Sequence, residues 1–226
     1  MGFTRKIQYY LVHTLKYSNK EALLLIKEGK VKVNNMIIYE NILLNSEDEI
    51  KINHKIVKAT KSFVYIKYYK PVGLVSSLNK NVPHSLYSLF EKQLPLFIAG
   101  RLDKSSEGLL ILTNDGKWLK KITDPNAFKE KEYIVELDKT FNENFLKQMR
   151  TGVDIKFYVT RPCFCEKIND TEFRIILTEG KNKQIRRMCK FFGYQVIRLK
   201  RIRIDTIMIK KMNPNDCQLL NLQKML

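Results

Sequence analysis

Between Gly100 and Gly116 the chain reads GRLDKSSEGLLILTNDG. Arg101, Asp103, Ser105, Ser106 and Glu107 crowd into one glycine-bracketed turn directly ahead of the apolar run Leu109 to Leu112. The chemistry open to this turn is narrowed by what is absent elsewhere. The three histidines, His13, His54 and His84, all lie away from it. No Ser-His-Asp set and no phosphate-cradling glycine loop is present. Cys163, Cys165, Cys189 and Cys217 form no Cys-x-x-Cys pair, so free thiols and no metal site are expected. What remains is a carboxylate acting as a nucleophile or as a general base. A loop Asp taken alone is more often a turn or capping residue; the neighbouring elements must decide.

The elements around the turn read as a sheet with helices. Phe63 to Tyr69 is rich in β-formers, and Lys70-Pro71-Val72-Gly73 ends it with a turn. Leu86 to Phe90 reads as a short helix and Leu109 to Leu112 as a buried strand, after which Asn114 or Thr113 caps a helix through Trp118, Leu119 and Ile122. Lys131 to Leu137 alternates, with Tyr133 and Val135 on one face and Ile134 on the other. Thr140-Phe141-Asn142-Glu143 fits a capping box for a helix running to about Met149, and Val153 to Thr160 and Phe173 to Thr178 read as strands. Ile185, Met188, Cys189 and Phe192 fall at i, i+3, i+4 and i+7, a helix packed on its sheet, with Gly193 placed to end it. Arg186 lies at the edge of that stripe, where it can reach under the helix towards a buried carboxylate. Arg187 and Lys190 face solvent or phosphate. A strand from Gln195 to Leu199 and the basic run Lys200 to Arg203 follow.

The first sixty or so residues are organised separately. Ile7, Leu11 and Leu15 mark one face of a helix within Thr4 to Lys16. Ser18 or Asn19 caps a second helix with its core run from Ala22 to Ile26, ending at Gly29. Val31 and Val33 alternate with lysines, Asn34-Asn35 supplies a turn, and Ile50 to Ile52 closes a small sheet. His54 to Lys61 is polar without periodicity and reads as linker.

A hydrophobic fraction of 44% argues for a globular protein. With 41 Lys+Arg against 23 Asp+Glu, the net charge of +18 favours polyanionic partners. No signal peptide and no apolar run of membrane-spanning length is seen, so a soluble, cytoplasmic protein without a membrane partner is expected.

Two resemblances join these readings. Residues Thr4 to Val57, above all IKEGKVKVN from Ile26 to Asn34, resemble the alpha-L RNA-binding module. Members carry a Ser-Arg-Arg triplet where this chain has Ser18-Asn19-Lys20, which leaves Lys16, Lys20, Lys27 and Lys30 as expected phosphate contacts. Gly100-Arg101-Leu102-Asp103 with Ser106-Glu107-Gly108-Leu109 resembles the signature of pseudouridine synthases. With Lys70 to Gly73 upstream and Gly180 to Met188 downstream, the order is similar to the RsuA/RluB/RluE/RluF branch. The stretches KEKEYIV (Lys129 to Val135), QIRRMC (Gln184 to Cys189) and FGY (Phe192 to Tyr194) are most similar to its RluF type, a large-subunit rRNA enzyme.

That resemblance implies cofactor-free isomerisation of uridine to pseudouridine in a base flipped from its helix. It implies Asp103 as the catalytic carboxylate, Arg186 as its charge partner, and Tyr133 as a ring stacked on the uracil. Arg101 would fill the vacated gap, Arg187 and Lys183 would bind RNA, Leu177 would pack against the base, and Gly100, Lys70 and Gly73 would shape the pocket. The expected fold is α+β: an alpha-L type RNA-binding domain over 1–57, a linker over 58–61, and a catalytic domain over 62–226 with a mixed, mainly antiparallel sheet flanked by helices. The expected state is a monomer acting on rRNA, with small-subunit rRNA or a tRNA anticodon loop as alternative substrates. A non-catalytic RNA-binding ribosome-assembly factor is the alternative from another class.

Overall fold

The computed structural model describes residues 5–45, 47–58, 63–93, 95–156 and 158–220. The chain divides into two compact units, Met1–Ser62 and Phe63–Leu226.

In the first unit, β1 (Arg5–Lys6) leads into α1 (Ile7–His13) and α2 (Asn19–Lys27). Ser18 caps α2: its Oγ accepts from Glu21 N at 3.2 Å, and Glu21 Oε2 accepts from Ser18 N at 2.7 Å, a reciprocal box that satisfies two orphan donors. Strands β2 (Val31–Val33), β3 (Met36–Ile37), β4 (Leu43–Leu44), β5 (Ile50–Ile52) and β6 (Lys55–Lys58) follow. Four of them pair in the order β3-β2-β5-β6, while β1 pairs β4. Asn34-Asn35 and Asn53-His54 all have positive φ, as two-residue hairpin turns require. The second of these turns returns Lys55–Lys58 onto β5, so part of the polar stretch read as linker is a strand; residues 59–62 lie outside the described residues. The lysines at both ends of β6 hid it from a periodicity reading. Ile7 and Leu11 of α1 and Ala22 and Ile26 of α2 close over Val31, Val33, Ile50 and Ile52. The helix expected over Thr4 to Lys16 is shorter, because Arg5 and Lys6 pair with Leu44 and Leu43, and Thr4 is outside the described residues.

The second unit runs β7 (Tyr65–Lys70), α3 (Tyr87–Phe90), β8 (Phe97–Ala99), β9 (Glu107–Thr113), α4 (Gly116–Thr123), β10 (Lys131–Leu137), α5 (Glu143–Thr151), β11 (Phe164–Lys167), β12 (Glu172–Leu177), α6 (Gln184–Phe191), β13 (Val196–Ile204), β14 (Ile207–Met208) and β15 (Cys217–Leu219). The sheet order is β11-β12-β10-β13-β9-β7-β15, with β8 on β9 and β14 on β13. Among the described strands only β9 and β13 run parallel; the sheet is otherwise antiparallel. Central strand β9 is buried on both faces, which its unbroken Leu109 to Leu112 run reflects. Leu110 and Leu112 belong to one core cluster with Phe90 of α3, Leu146 of α5 and Met188 of α6, and Leu109 and Ile111 to another with Ile122 of α4. The architecture is thus α+β with helices on both faces.

Several local expectations change. Asp115, not Asn114 or Thr113, caps α4, its Oδ1 accepting from Lys117 N and Trp118 N. Asn114 Oδ1 instead accepts from Val64 N at 2.8 Å. Asn142, not Thr140, caps α5 through Phe145 N at 3.1 Å. The stretch read as a strand from Val153 to Thr160 has only an isolated Asp154–Val159 bridge, with residue 157 outside the described residues. Phe164–Lys167 is an added edge strand whose alternation is too short to stand out.

The one parallel pairing depends on Gly108. It sits opposite Arg201 with φ of +107°, and a Cβ placed on it would come within 2.2 Å of Arg201 O. Any side chain there clashes with backbone and is also conformationally strained. Gly108→Ala is expected to lower the unfolding free energy by about 2–5 kcal/mol in urea titrations; a loss within 0.5 kcal/mol or so would show that the β9–β13 contact is looser.

Candidate active site

The turn between β8 and β9 is held by its own backbone carbonyls. Arg201 Nη2 donates to Gly100 O at 2.7 Å, and its Nε donates to Leu109 O at 2.8 Å. Ser76 Oγ donates to Leu102 O at 2.7 Å and accepts from Leu102 N at 3.1 Å. Asp103 O accepts from Ser106 N, and Lys104 O from Gly73 N. Arg186 Nη2 donates to Ser105 O at 3.0 Å, and Lys70 Nζ to Ser106 O at 2.7 Å and Pro71 O at 2.8 Å. From Leu102 to Ser106 every carbonyl has a partner. Among the described residues, by contrast, no donor lies within hydrogen-bond distance of the Asp103 carboxylate, which is half-buried and lines a cleft of about 420 Å³.

The cleft lies over β10, β12 and β13. Tyr133, Leu177 and Leu199 supply its apolar floor, and Arg101, Lys104, Lys131, Lys181, Lys183 and Arg201 its cations. Tyr133 and Leu177 are nearly fully buried, so each offers only a small face to an occupant. A single carboxylate facing a small apolar floor inside a cationic rim suits a neutral base attached to a polyanion.

Burial has consequences for the lysines. Lys70 is wholly buried, and desolvation pushes its pKa down to about 8, against the opposing pull of the Asp103 and Glu107 carboxylates. Lys131 is also lowered, first by burial and then by Arg201. Burial acts to raise Glu107, but hydrogen bonds from Arg198 and from Tyr69 outweigh it and hold the carboxyl low. Burial first, and then its hydrogen bond to Glu107, pushes the Tyr69 phenol up to about 12.

Among the residues named from the sequence, Gly100, Arg101, Asp103, Tyr133, Leu177 and Lys183 all line the cleft. Lys70 and Gly73 lie beneath and beside the turn rather than in its wall; Gly73, at φ of +94°, ties Pro71-Val72 to Lys104. The Asp103–Arg186 ion pair is not formed. Arg186 gives Nη1 to Val196 O at 2.7 Å and Nη2 to Ser105 O, because from the edge of α6 these carbonyls come within reach first. Arg187 is half-buried and donates to Asn182 Oδ1 at 3.3 Å. In the other unit, Lys16, Lys20, Lys27 and Lys30 are exposed, and Lys30 pairs with Glu28 at 2.6 Å. The cavity there, lined by Arg5, Gln8, Tyr9, His13, Asn19 and Asn41 among others, includes none of the four.

Arg201, Lys131, Lys104, Lys181 and Ser76 escaped the sequence reading. Arg201 was legible in principle: strand alternation places it two residues beyond Leu199 on the cleft face, although a run of cations reads as solvated surface. Ser76 carries no pattern in its local sequence. Among the described residues no group of three or more His, Cys, Asp or Glu is placed to hold a metal ion.

A cleft of this kind suits an enzyme acting on RNA, and the chain belongs to the RNA pseudouridylate synthase family of isomerases, whose family model matches residues 64–191. It is 35% identical over 204 residues to the dual-specificity RNA pseudouridine synthase RluF of Escherichia coli K12, covering 89% of this chain and 70% of that one. An uncharacterized RNA pseudouridine synthase of Aquifex aeolicus is 34% identical over 217 residues, covering 93% and 90%. A crystal structure of a pseudouridylate synthase superposes with a TM-score of 0.67 at 26% identity, covering 97% of both chains.

Lys70 offers a test of the buried scaffold. Unfolded, it titrates at its ordinary 10.5; folded, at about 8. Between these values the unfolded chain binds more protons, so stability rises with pH. Lys70→Met, which leaves two carbonyls without a donor, is expected to cost about 1–3 kcal/mol at pH 7. The gap to wild type should widen from pH 8 to 10.5 in denaturant titrations; a constant or narrowing gap would contradict this burial of charge.

Proposed function

We propose that this chain converts a uridine of large-subunit ribosomal RNA to pseudouridine, with Asp103 as the reacting carboxylate. The observation that carries the reading is the division of labour in the turn. Its carbonyls are bound to the scaffold, while the Asp103 side chain is left without a protein donor, in the cleft. Addition as a nucleophile and abstraction of a ribose proton both need an ionised carboxylate that is not already engaged. A target base flipped into the cleft, at a cost of about a few kcal/mol, would lie on Tyr133 and Leu177. Arg101, exposed at the rim, would occupy the gap left in the helix. Lys183 and Arg187 would take phosphates. Arg186 acts by position, bracing the Asp103 turn through Ser105 O. Lys70, Gly73 and Gly100 hold the shape of the turn.

Residues 1–57 would add an RNA-binding surface of the alpha-L type, with Lys16, Lys20 and Lys27 exposed and in no ion pair among the described residues, and Lys30 weakened by Glu28. Among the described residues no helix is long and apolar enough to cross a membrane; we place the protein in the cytoplasm because its proposed substrate is there, and take it to act as a monomer. Support for large-subunit rRNA comes from the similarity to the RluF type. The relatives' name, dual-specificity, favours a second RNA class, for which a tRNA loop is the candidate.

Pseudouridine mapping of rRNA and tRNA in cells lacking this chain tests the reading. One large-subunit position is expected to lose its pseudouridine, with restoration by wild type and not by Asp103→Asn. In vitro the same variant should release tritium from carbon-5-labelled uridine at least about 10³-fold more slowly with RNA affinity within about twofold. An unchanged large-subunit map, or equal loss of binding and turnover, would overturn it.

A further inference from the structure

An aromatic and cationic patch, linked to the cleft through residues that line it, is one to which the reaction assigns no role. Phe128 follows a short 3-10 turn, Pro125–Ala127, in which Asp124 Oδ1 accepts from Asn126 N at 2.9 Å and Asp124 O from Ala127 N at 3.1 Å. The turn ends by placing Phe128 at φ 49° and ψ 32°, a left-handed conformation that a bulky side chain rarely adopts. That strain does not serve core packing, because Phe128 is 55% exposed. Such outliers concentrate at ligand-binding positions.

Arg161 lies over the ring, its Cζ 4.5 Å from the centroid, and its Nη1 reaches Pro125 O at 3.4 Å. No carboxylate among the described residues pairs with its guanidinium. Its backbone N donates to Glu179 Oε1 at 3.0 Å, and the same oxygen accepts from Gln184 Nε2 at 2.7 Å; Gln184 lines the cleft. Phe128 is likewise joined to the cleft, since Lys131, three residues on, lines it and anchors Nζ on Lys129 O at 2.8 Å. Beside them Lys181, also in the cleft wall, sits 5.4 Å over the Tyr158 ring. A cation is thus set over a ring twice, once through a residue of the cleft wall.

We propose that Phe128 and Arg161 form a stacking site for an unpaired base next to the target uridine. The inference rests on the proposed RNA-modifying function and extends it to the strand beyond the reacting nucleotide. Flipping one base leaves its neighbours without a stacking partner. An exposed ring accepts the face of any base, and the guanidinium beside it meets the adjoining phosphate. Such a site is tolerant of sequence and adds affinity where the duplex has been opened.

The test uses the full chain and a decamer of uridylate as probe, with affinity read by fluorescence anisotropy at fixed salt. Phe128→Ala should weaken binding about tenfold, as loss of one base–aromatic stack does. Phe128→Trp should bind within about twofold of wild type and Phe128→Leu should behave like the Ala variant, because stacking needs a ring and packing does not. Wild-type affinity in the Ala variant, or Leu rescuing as well as Trp, overturns the proposal. Photo-crosslinking of wild type to the decamer carrying 5-iodouridine should give an adduct at Phe128 or Tyr158; adducts elsewhere only would also overturn it. Tritium release from rRNA is read separately. If no RNA is isomerised but decamer binding depends on the ring, the functional reading falls and the stacking site stands. If rRNA is isomerised and Phe128→Ala binds as wild type, the stacking site alone falls.

Discussion

Two buried cations grip neutral oxygens, and the turn that carries Asp103 depends on that grip. Arg201, 1% exposed, and Lys70, 0% exposed, have no carboxylate pair among the described residues. Their hydrogens go to backbone carbonyls at Gly100, Leu109, Pro71 and Ser106. Burying a charge costs several kcal/mol unless its donors are satisfied and opposite charge lies near. Here the donors are satisfied by carbonyls, and Asp103 and Glu107 supply the opposing field felt at Lys70. Desolvation therefore still prevails, and it pushes the Lys70 pKa down to about 8. The arrangement leaves Asp103 in the cleft without spending it on an ion pair, so its carboxylate stays available while its backbone is fixed.

The rest of the second unit serves this grip. Gly108 lets β13 approach β9 closely enough for Arg201 to pass beneath the turn, and the parallel register sets that approach. Tyr133 on β10 and Leu177 on β12 are brought to one floor by antiparallel pairing, in which Lys131 faces Leu177. Helix α6 packs Ile185, Met188 and Cys189 into the sheet and so carries Arg186 to Ser105 O. A large excess of positive charge would repel itself less in the presence of RNA, which fits a protein whose partner is RNA.

How far this was legible differs by element. Strand β10 and helix α6 were readable because their side chains obey simple periods, and Gly73 and Gly193 were readable because positive φ selects glycine. Asp103, Arg101 and Tyr133 were named by motif, and all three line one cleft. The Arg186–Asp103 pair was misjudged because helix geometry shows where a side chain starts, not which acceptor it meets first. Arg201 was overlooked because its strand alternates cations with apolar residues, and charge in such a run suggests solvent. Ser76 could not have been found locally, since its partner Leu102 is 26 residues away. Strand β6 was lost to its terminal lysines, and Asp115 displaced Asn114 as a cap because Asn114 was drawn to Val64.

The central claim is that backbone restraint by a buried guanidinium positions Asp103 for reaction. Arg201→Lys keeps the charge but loses the planar fork that spans Gly100 O and Leu109 O. The measurement is the single-turnover isomerisation rate of this variant at saturating RNA, set beside its RNA dissociation constant. A fall of about 100-fold in rate with the dissociation constant within about threefold is predicted, as a small displacement of a reacting group produces. A wild-type rate at saturation, or a loss confined to binding, would contradict the account.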